Sequence, residues 1–281
     1  MSDAELRGAS DTGAAIPAVV EFTNVSKTYD TGYTAIQHVT FRVDDVPGRM
    51  EIVGILGPSG CGKSTVLRLI AGLTPQHPAS SGTVQVMGQA VAEPGADRGF
   101  VFQDYTSFDN RTVEENIAFG LECRGMPNRA RRELARDWIQ KVGLDVARDA
   151  TKYPHELSGG MRQRVALART LILKPRVILM DEPFGALDPK TRYAMQDLLV
   201  ALSREVQATV FLVTHSIEEA VYVGDRIFVF SNAPGTILKE MTVPPPDRPA
   251  REMQRESGFL DIVFTVRDIV EGLEVSTRAG T

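Results

Sequence analysis

The stretch EIVGILGPSGCGKST, residues 51–65, decides the reading of this chain. Its first part, EIVGIL, is a short apolar run followed by glycine, the pattern of a buried strand. Its second part, GPSGCGKST at 57–65, fits G-x-x-x-x-G-K-[ST] and runs into a helical pattern from Lys63 to Ala71, with Val66, Leu67 and Ile70 apolar. Strand, loop and helix in this order make a phosphate cradle. In the loop of Gly57, Pro58, Ser59, Gly60, Cys61 and Gly62, the glycines let the backbone curl until its N–H groups converge on oxygen atoms. The dipole at the helix start adds about 0.3–1 kcal/mol, or about 2 when partly buried, which is too little to hold a triphosphate. Lys63 therefore supplies a full charge at the β- and γ-phosphates, Ser64 is placed to ligate Mg²⁺, and Thr65 reaches the α-phosphate side. Cys61 reads as a small loop residue, although a thiol near a helix start can have a lowered pKa.

Outward from the loop, the chain alternates short apolar runs with helical segments. Val19 to Val46 is rich in β-branched and aromatic residues around a YDTGY turn, which predicts antiparallel strands. Strands are also predicted at 83–88, 99–102, 177–180, 209–213 and 226–231, the last taken as the final strand. Helices are predicted from Ser158 towards Leu173, from Thr191 to Glu205 and from Ile217 to Val223. This alternation argues for a mostly parallel sheet with helices on both faces. A helical stretch between about Thr112 and Val142 interrupts the plan. Leu134, Trp138 and Val142 mark its apolar face, and Arg129, Arg131, Arg132 and Arg136 read as a solvated one. PPPDRP at 244–249 is a stiff connector, and one weak helix follows around Leu260 to Glu271.

Several polar residues fall where apolar strands end. LMDEP, 179–183, puts two acids there, and ligands of open α/β sheets bind at the carboxyl ends of strands. Asp181 is placed to hold Mg²⁺ through water. Glu182 is placed to orient and deprotonate the attacking water, a role that supplies roughly 10²–10⁴-fold in rate. Gln103, after GFVF, is placed to touch Mg²⁺ and that water, and His215, after FLVT, to hydrogen-bond the γ-phosphate. The ring of Tyr29 or of Tyr33 can stack on adenine.

Bulk properties narrow the setting. The chain has 281 residues, 43% hydrophobic and 24% charged, as expected of a globular protein with a full core. A net charge of −5 leaves no electrostatic footprint for nucleic acid. The two cysteines and four histidines form no zinc or disulfide pattern, which fits a reducing compartment. Residues 1–17 lack the pattern of a signal peptide and read as a disordered lead-in. No apolar run is long enough to span a bilayer as a helix, so action at a membrane requires other chains.

LSGGMRQR, 157–164, is a second helix start suited to anions. Ser158 can cap it, and Gly159 and Gly160 leave backbone N–H groups open to a phosphate. With LSGGMRQRVALART as signature motif and ALDP, 186–189, as D-loop, the sequence resembles the ABC ATPase family over roughly residues 18–243, with all motifs in the family's order. The resemblance implies an α/β fold: a P-loop NTPase (RecA-like) core with a mostly parallel sheet, an N-terminal antiparallel β subdomain and an inserted α-helical subdomain at about 104–161. Residues 244–281 form a connector and helical tail outside it. It also implies a head-to-tail homodimer binding ATP and Mg²⁺. In that dimer Ser158, Gly159 and Gly160 of one copy cap the nucleotide held by Lys63 of the other, and Asp188 links the two sites.

HELSGGMRQRVALAR, DEPFGALD, VTHSIEEAVYVGDRI and SNAPGTI resemble ATPases of importers for nitrate, sulfonate and taurine. The chain departs from that subfamily at DYTSFDNRTV, where an LLPW-like stretch is frequent, and at Ser216, where aspartate is usual. The importer resemblance implies peripheral attachment to integral permease subunits at the cytoplasmic face of a bacterial inner membrane, through the region from Gln103 to about Glu114. A solute-binding protein would be an indirect partner. An exporter or lipid-handling ATPase would use the same site. A non-transport ABC protein would usually carry two cassettes or a long coiled-coil insertion.

Overall fold

The computed structural model describes residues 17–278 apart from 47 and 49. The predicted lead-in therefore lies outside the described residues, except for Pro17, whose carbonyl accepts from Asp45 N. β1 (Ala18–Thr28) and β2 (Thr34–Asp44) pair antiparallel around the predicted turn. Their cross-strand partners Phe22 and Phe41 stack with ring centroids 4.5 Å apart, the aromatic pairing that stabilises a half-buried sheet. β3 (Ile52–Leu56) leads through the glycine loop into α1 (Lys63–Ala71), the helix expected from the sequence. β4 (Ser81–Val86) and β5 (Gln89–Ala90) complete an antiparallel sheet of order β2-β1-β4-β5.

The second sheet is the core. After β6 (Arg98–Val101) the chain leaves the sheet for α2 (Val113–Cys123), α3 (Asn128–Lys141), the single-turn α4 (Val146–Asp149) and α5 (Gly159–Leu171). It returns as β7 (Val177–Asp181), α6 (Pro189–Val206), β8 (Thr209–Val213), α7 (Ile217–Val223), β9 (Arg226–Phe230) and β10 (Ile237–Thr242). The order is β10-β9-β3-β8-β7-β6, parallel throughout except for the β9-β10 pair. Every residue of β3, β7 and β8 is buried, which is why these strands read as continuous apolar runs.

Four expectations need correction. The strand at Arg226–Phe230 is not the last, because β10 pairs beside it. Its ILKEMT sequence lies largely exposed, with Lys and Glu facing water as edge strands require, so it shows no apolar pattern. The helical stretch at 112–142 is two helices, broken where Gly125 turns left-handed (φ 74°) and Pro127 precedes α3. On α3 the buried positions are Ala135, Trp138 and Ile139, continued by Val142, while Leu134 is 39% exposed. At about 100° per residue, Trp138, Val142, Ala135 and Ile139 fill one stripe, and Leu134 falls about 40° outside its Trp138 edge. The arginine face is also not uniformly solvated. Arg132 and Arg136 both donate to Glu114 of α2, which is only 3% exposed, and Arg136 Nε lies 2.6 Å from its carboxylate. Burial pushes the Glu114 carboxyl up, but the two guanidinium hydrogen bonds outweigh it and hold the group below the usual range.

The C-terminal helix is longer than its sequence suggests. α8 (Ala250–Met253) and α9 (Ser257–Arg278) follow the proline connector, and α9 packs on α7. Phe259, Val263 and Val266 are buried in the same apolar cluster as Met180 and Leu199. Val266→Asp would place an unpaired carboxylate in this contact and should lower the unfolding free energy by about 3 kcal/mol. Urea denaturation followed by circular dichroism checks this; an unchanged midpoint would mean that α9 lies outside the cooperative unit.

Candidate active site

The carboxyl ends of β6, β7, β8 and β3 lie side by side, and each delivers polar groups to one edge of the sheet. The loop after β3 needs glycine at 62. Gly62 has φ 93°, and a Cβ there would come within 2.4 Å of Ile36 Cγ2 and 2.7 Å of the Ala35 carbonyl oxygen. Beneath the loop, Cys61 is 1% exposed, and burial pushes its thiol pKa up despite the nearby Lys63. Cys61 thus packs inward as a small residue. Lys63 folds over its own loop, donating to the carbonyls of Gly57 at 2.7 Å and Pro58 at 2.8 Å.

Ser64 and Asp181 meet across the gap between α1 and β7. Ser64 Oγ donates to Asp181 Oδ1 at 2.8 Å, and Arg68 lies 3.9 Å from the other carboxylate oxygen. Burial pushes the Asp181 carboxyl above its usual range, with Ser64, then Arg68, pulling it back. Glu182, the next residue, has φ 49° and leaves the strand in the left-handed region. Its amide still donates to Val213 O at 2.9 Å, which fixes it to the end of β8. Its carboxylate is held from both sides: His215 Nε2 lies 2.5 Å from Oε1, and Gln103 Nε2 donates to Oε2 at 3.3 Å.

A cleft of about 360 Å³ is lined by Tyr29, Tyr33, Ala35, Ser59, Gly60, Gly62, Lys63, Ser64, Thr65, Glu182 and His215; Gln103 and Asp181 are not part of this lining but hydrogen-bond to Glu182 and Ser64, which are. The Tyr29 hydroxyl is 3.3 Å from Thr65 Oγ1, and the Tyr33 hydroxyl donates to Gly60 O at 2.7 Å. The two rings lie 6.3 Å apart and nearly parallel, so both aromatics considered for adenine stand at the same mouth.

Gly57, Pro58 and Cys61 of the loop are not among the lining residues, and neither are Ser158, Gly159, Gly160 and Asp188. Ser158 caps α5 by accepting from Met161 N at 3.4 Å, and Gly159 has open space where a side chain would stand. Asp188 caps α6, accepting from Lys190 N and Thr191 N at 3.1 Å each, and the bond with Thr191 holds its carboxyl below the usual range.

Sequence reasoning missed the support under the site. Tyr105 and Gln163 both donate to the carbonyl of Pro183. Glu219 accepts from the Thr214 hydroxyl and faces Arg192 at 3.5 Å, while Arg192 donates to Leu187 O at 3.0 Å. Burial pushes the Glu219 carboxyl up. Tyr105 and Gln163 stand 78 and 20 residues from Pro183, so no local pattern announces those two contacts.

Known proteins are similar to this chain in sequence and in fold. The chain matches the family described as ABC transporter over residues 43–185. It is 44% identical to the nitrate import ATP-binding protein NrtD of Synechocystis sp., covering 80% of this chain and 85% of that one. It is 42% identical to the taurine import ATP-binding protein TauB of Rhizobium johnstonii, covering 85% and 90%. The dimeric post-hydrolysis structure of the ATP-binding cassette MJ0796, bound to ADP and Pi, superposes with a TM-score of 0.68 at 34% identity, covering 80% of this chain and 99% of that one. A phosphate loop, two acids after a buried strand and a serine-capped helix, joined to these similarities, make this chain a member of the ABC transporter family, an ATP-binding and ATP-hydrolysing cassette.

Proposed function

We propose that two copies of this chain, head to tail, bind and hydrolyse ATP at two shared sites and so drive a membrane importer for a small anion of the nitrate, sulfonate or taurine type. The observation that carries the shared site is the composition of the cleft. Its lining holds residues of the phosphate loop, Glu182 and His215, but none of the groups at the capped start of α5, where a side chain at Gly159 would stand in open space. Each copy thus offers half of an anion site at two separate places. Closure of a dimer on ATP joins the halves, and loss of the γ-phosphate lets it reopen.

Within one half-site the roles follow from contacts. Lys63 exchanges its two loop carbonyls for β- and γ-phosphate oxygens. Glu182 orients the attacking water and accepts its proton, while His215 and Gln103 hold the two carboxylate oxygens in place. Phosphoryl transfer asks the protein mainly for positioning and charge stabilisation, which these groups provide. Ser64 Oγ and the buried Asp181 carboxylate, 2.8 Å apart, are the hard oxygen donors that Mg²⁺ prefers, with Gln103 at the rim. When bound, the ion would neutralise charge on the β- and γ-phosphates. Tyr29 supports the adenine end, with Tyr33 beside it.

The import reading draws on the names of the relatives and on a groove between the sheet core and the inserted helices. That groove, about 460 Å³, is lined by Phe100, Phe102, Phe108 and Phe119 among others, and its Thr106–Phe108 edge belongs to the segment that follows Gln103. An apolar groove beside the catalytic loop suits a helix presented by a permease subunit. No helix among the described residues is long and apolar enough to cross a membrane. We place the chain at the cytoplasmic face of the inner membrane, with the solute-binding protein an indirect partner.

Glu182→Gln should cut turnover by about 10²–10⁴-fold while keeping ATP binding, and should trap an ATP dimer. Size exclusion with ATP showing monomer alone would count against the shared site. Lys63→Ala should abolish nucleotide binding, read by calorimetry; unchanged affinity would remove the lysine from its role. Ser158→Arg should leave ATP binding to the monomer intact and stop hydrolysis. Normal turnover by that variant would make the start of α5 a bystander.

A further inference from the structure

The loop that carries Glu182 is anchored at one buried carbonyl. Pro183 and Phe184 are buried, and the Pro183 oxygen accepts from two side chains of distant origin. One is the Tyr105 hydroxyl, from the segment after Gln103. The other is the Gln163 amide, from the second turn of α5. Tyr105 is 7% exposed and Gln163 is 2% exposed, so neither donor has water as a substitute partner. The amide oxygen of Gln163 is buried without a hydrogen bond. Its amide is therefore held in the apolar interior by its bond to Pro183 alone. Burying such a group is unfavourable unless the bond it makes is retained.

Tyr105 and the residue before its acceptor are both conformationally unusual. Tyr105 has φ 47° and Glu182 has φ 49°, the left-handed region that non-glycine residues seldom adopt. Such backbones persist only where surrounding contacts over-determine them. Burial pushes the Tyr105 hydroxyl up to about 12, with Glu219 adding to the shift, so it stays protonated and keeps donating at physiological pH.

The same two elements meet again nearby. Arg169 of α5 donates to the carbonyl of Thr106 at 2.5 Å, and Gln103 reaches the Glu182 carboxylate. The 103–108 segment therefore holds the Glu182 side chain through Gln103 and the carbonyl of the next residue, Pro183, through Tyr105. The next residues, Thr106 to Phe108, form an edge of the apolar groove. Helix α5, which begins at Ser158, supplies the second donor.

We propose that Tyr105 and Gln163 are positioning residues for Glu182, two interchangeable donors through which the groove segment and the capped helix set the carboxylate's approach to the attacking water. This rests on Glu182 as the group that activates that water. Because both donors serve one acceptor, losing either leaves the carbonyl partnered, and losing both leaves it buried and unpaired. The effects on turnover should therefore combine to more than their product.

The test uses Tyr105→Phe, Gln163→Met and the double variant of the full chain, with ATPase kcat and KM and the Kd of a non-hydrolysable ATP analogue. Each single variant should lower kcat by about 3-fold and the double by more than about 30-fold, with KM and Kd within about 2-fold of wild type. A double variant turning over within about 2-fold of wild type would overturn the inference, as would losses confined to KM or Kd. If the double variant fails to bind the analogue or to unfold cooperatively, Tyr105→Phe decides alone, because it keeps the ring and removes one hydroxyl: an unchanged kcat overturns the inference and a lowered kcat at constant KM supports it. Glu182→Gln is measured in parallel. If it hydrolyses ATP at the wild-type rate, the reading of Glu182 falls and this inference with it. If it is inactive while the double variant is normal, this inference alone falls.

Discussion

The register of four parallel strands is the constraint on which the site depends. Ile55 of β3 lies opposite Val213 of β8, Val213 opposite Asp181 of β7, and Met180 opposite Val101 of β6. Within a few residues beyond that line stand the phosphate loop, His215, Glu182 and Gln103. Side chains alternate along a strand, so a slip of one residue in β7 would turn Asp181 away from Ser64 and carry Glu182 out of reach of His215. The register is specified by burial: β3, β7 and β8 are covered on both faces, and a shifted pairing would expose apolar side chains or bury the acids. The chemistry at the edge is thus held by packing several residues below it.

This explains what was legible in the sequence. The glycine loop, its strand and helix α1 are local, with all signals contained in residues 51–71, and their bounds matched the structure closely. Residues at strand ends, such as Gln103, Asp181, Glu182 and His215, were legible because the apolar run beside each one marks where the strand stops. Contacts that depend on two distant segments were not. Tyr105 sits in a polar stretch with no period to mark it as buried, and its partner is the Pro183 carbonyl, which no residue code announces. From sequence, Glu114 marks only the approximate end of the segment that follows Gln103, and its burial depends on the way α3 lays Arg132 and Arg136 across it. β10 was missed for the opposite reason: an exposed edge strand carries the composition of a loop.

The C-terminal tail shows how weak periodicity can hide a real contact. In α9 the buried positions Phe259, Val263 and Val266 are spaced by four and three, a narrow stripe, while Leu260 and Phe264 stand exposed beside them. Apolar residues on both sides of the stripe blur the pattern, and only packing on α7 distinguishes them. Helix α7 starts at Ile217, two residues after His215, and Arg267 of α9 donates to Glu218 at 3.1 Å. The tail therefore braces the element that follows the histidine. Both partners of that pair are substantially exposed, so the apolar stripe contributes more to the contact than the ion pair does.

The contacts of Lys63 clarify why the half-site is prepared to accept a triphosphate. Its ammonium rests on two neutral carbonyls in a nearly buried position. Hydrogen bonds to charged acceptors are roughly twice as strong as those to neutral ones. Exchanging Gly57 and Pro58 oxygens for phosphate oxygens is thus favourable without any large movement of the lysine. The same exchange frees loop carbonyls at the cleft, where Tyr33 already donates to Gly60 and can limit the loop's drift. What one copy cannot provide is donors on the opposite side of the phosphates, because its cleft is lined from the loop, the sheet edge and the tyrosine turn alone. In the proposed head-to-tail arrangement, the capped start of α5 from a second copy is what supplies donors on that side.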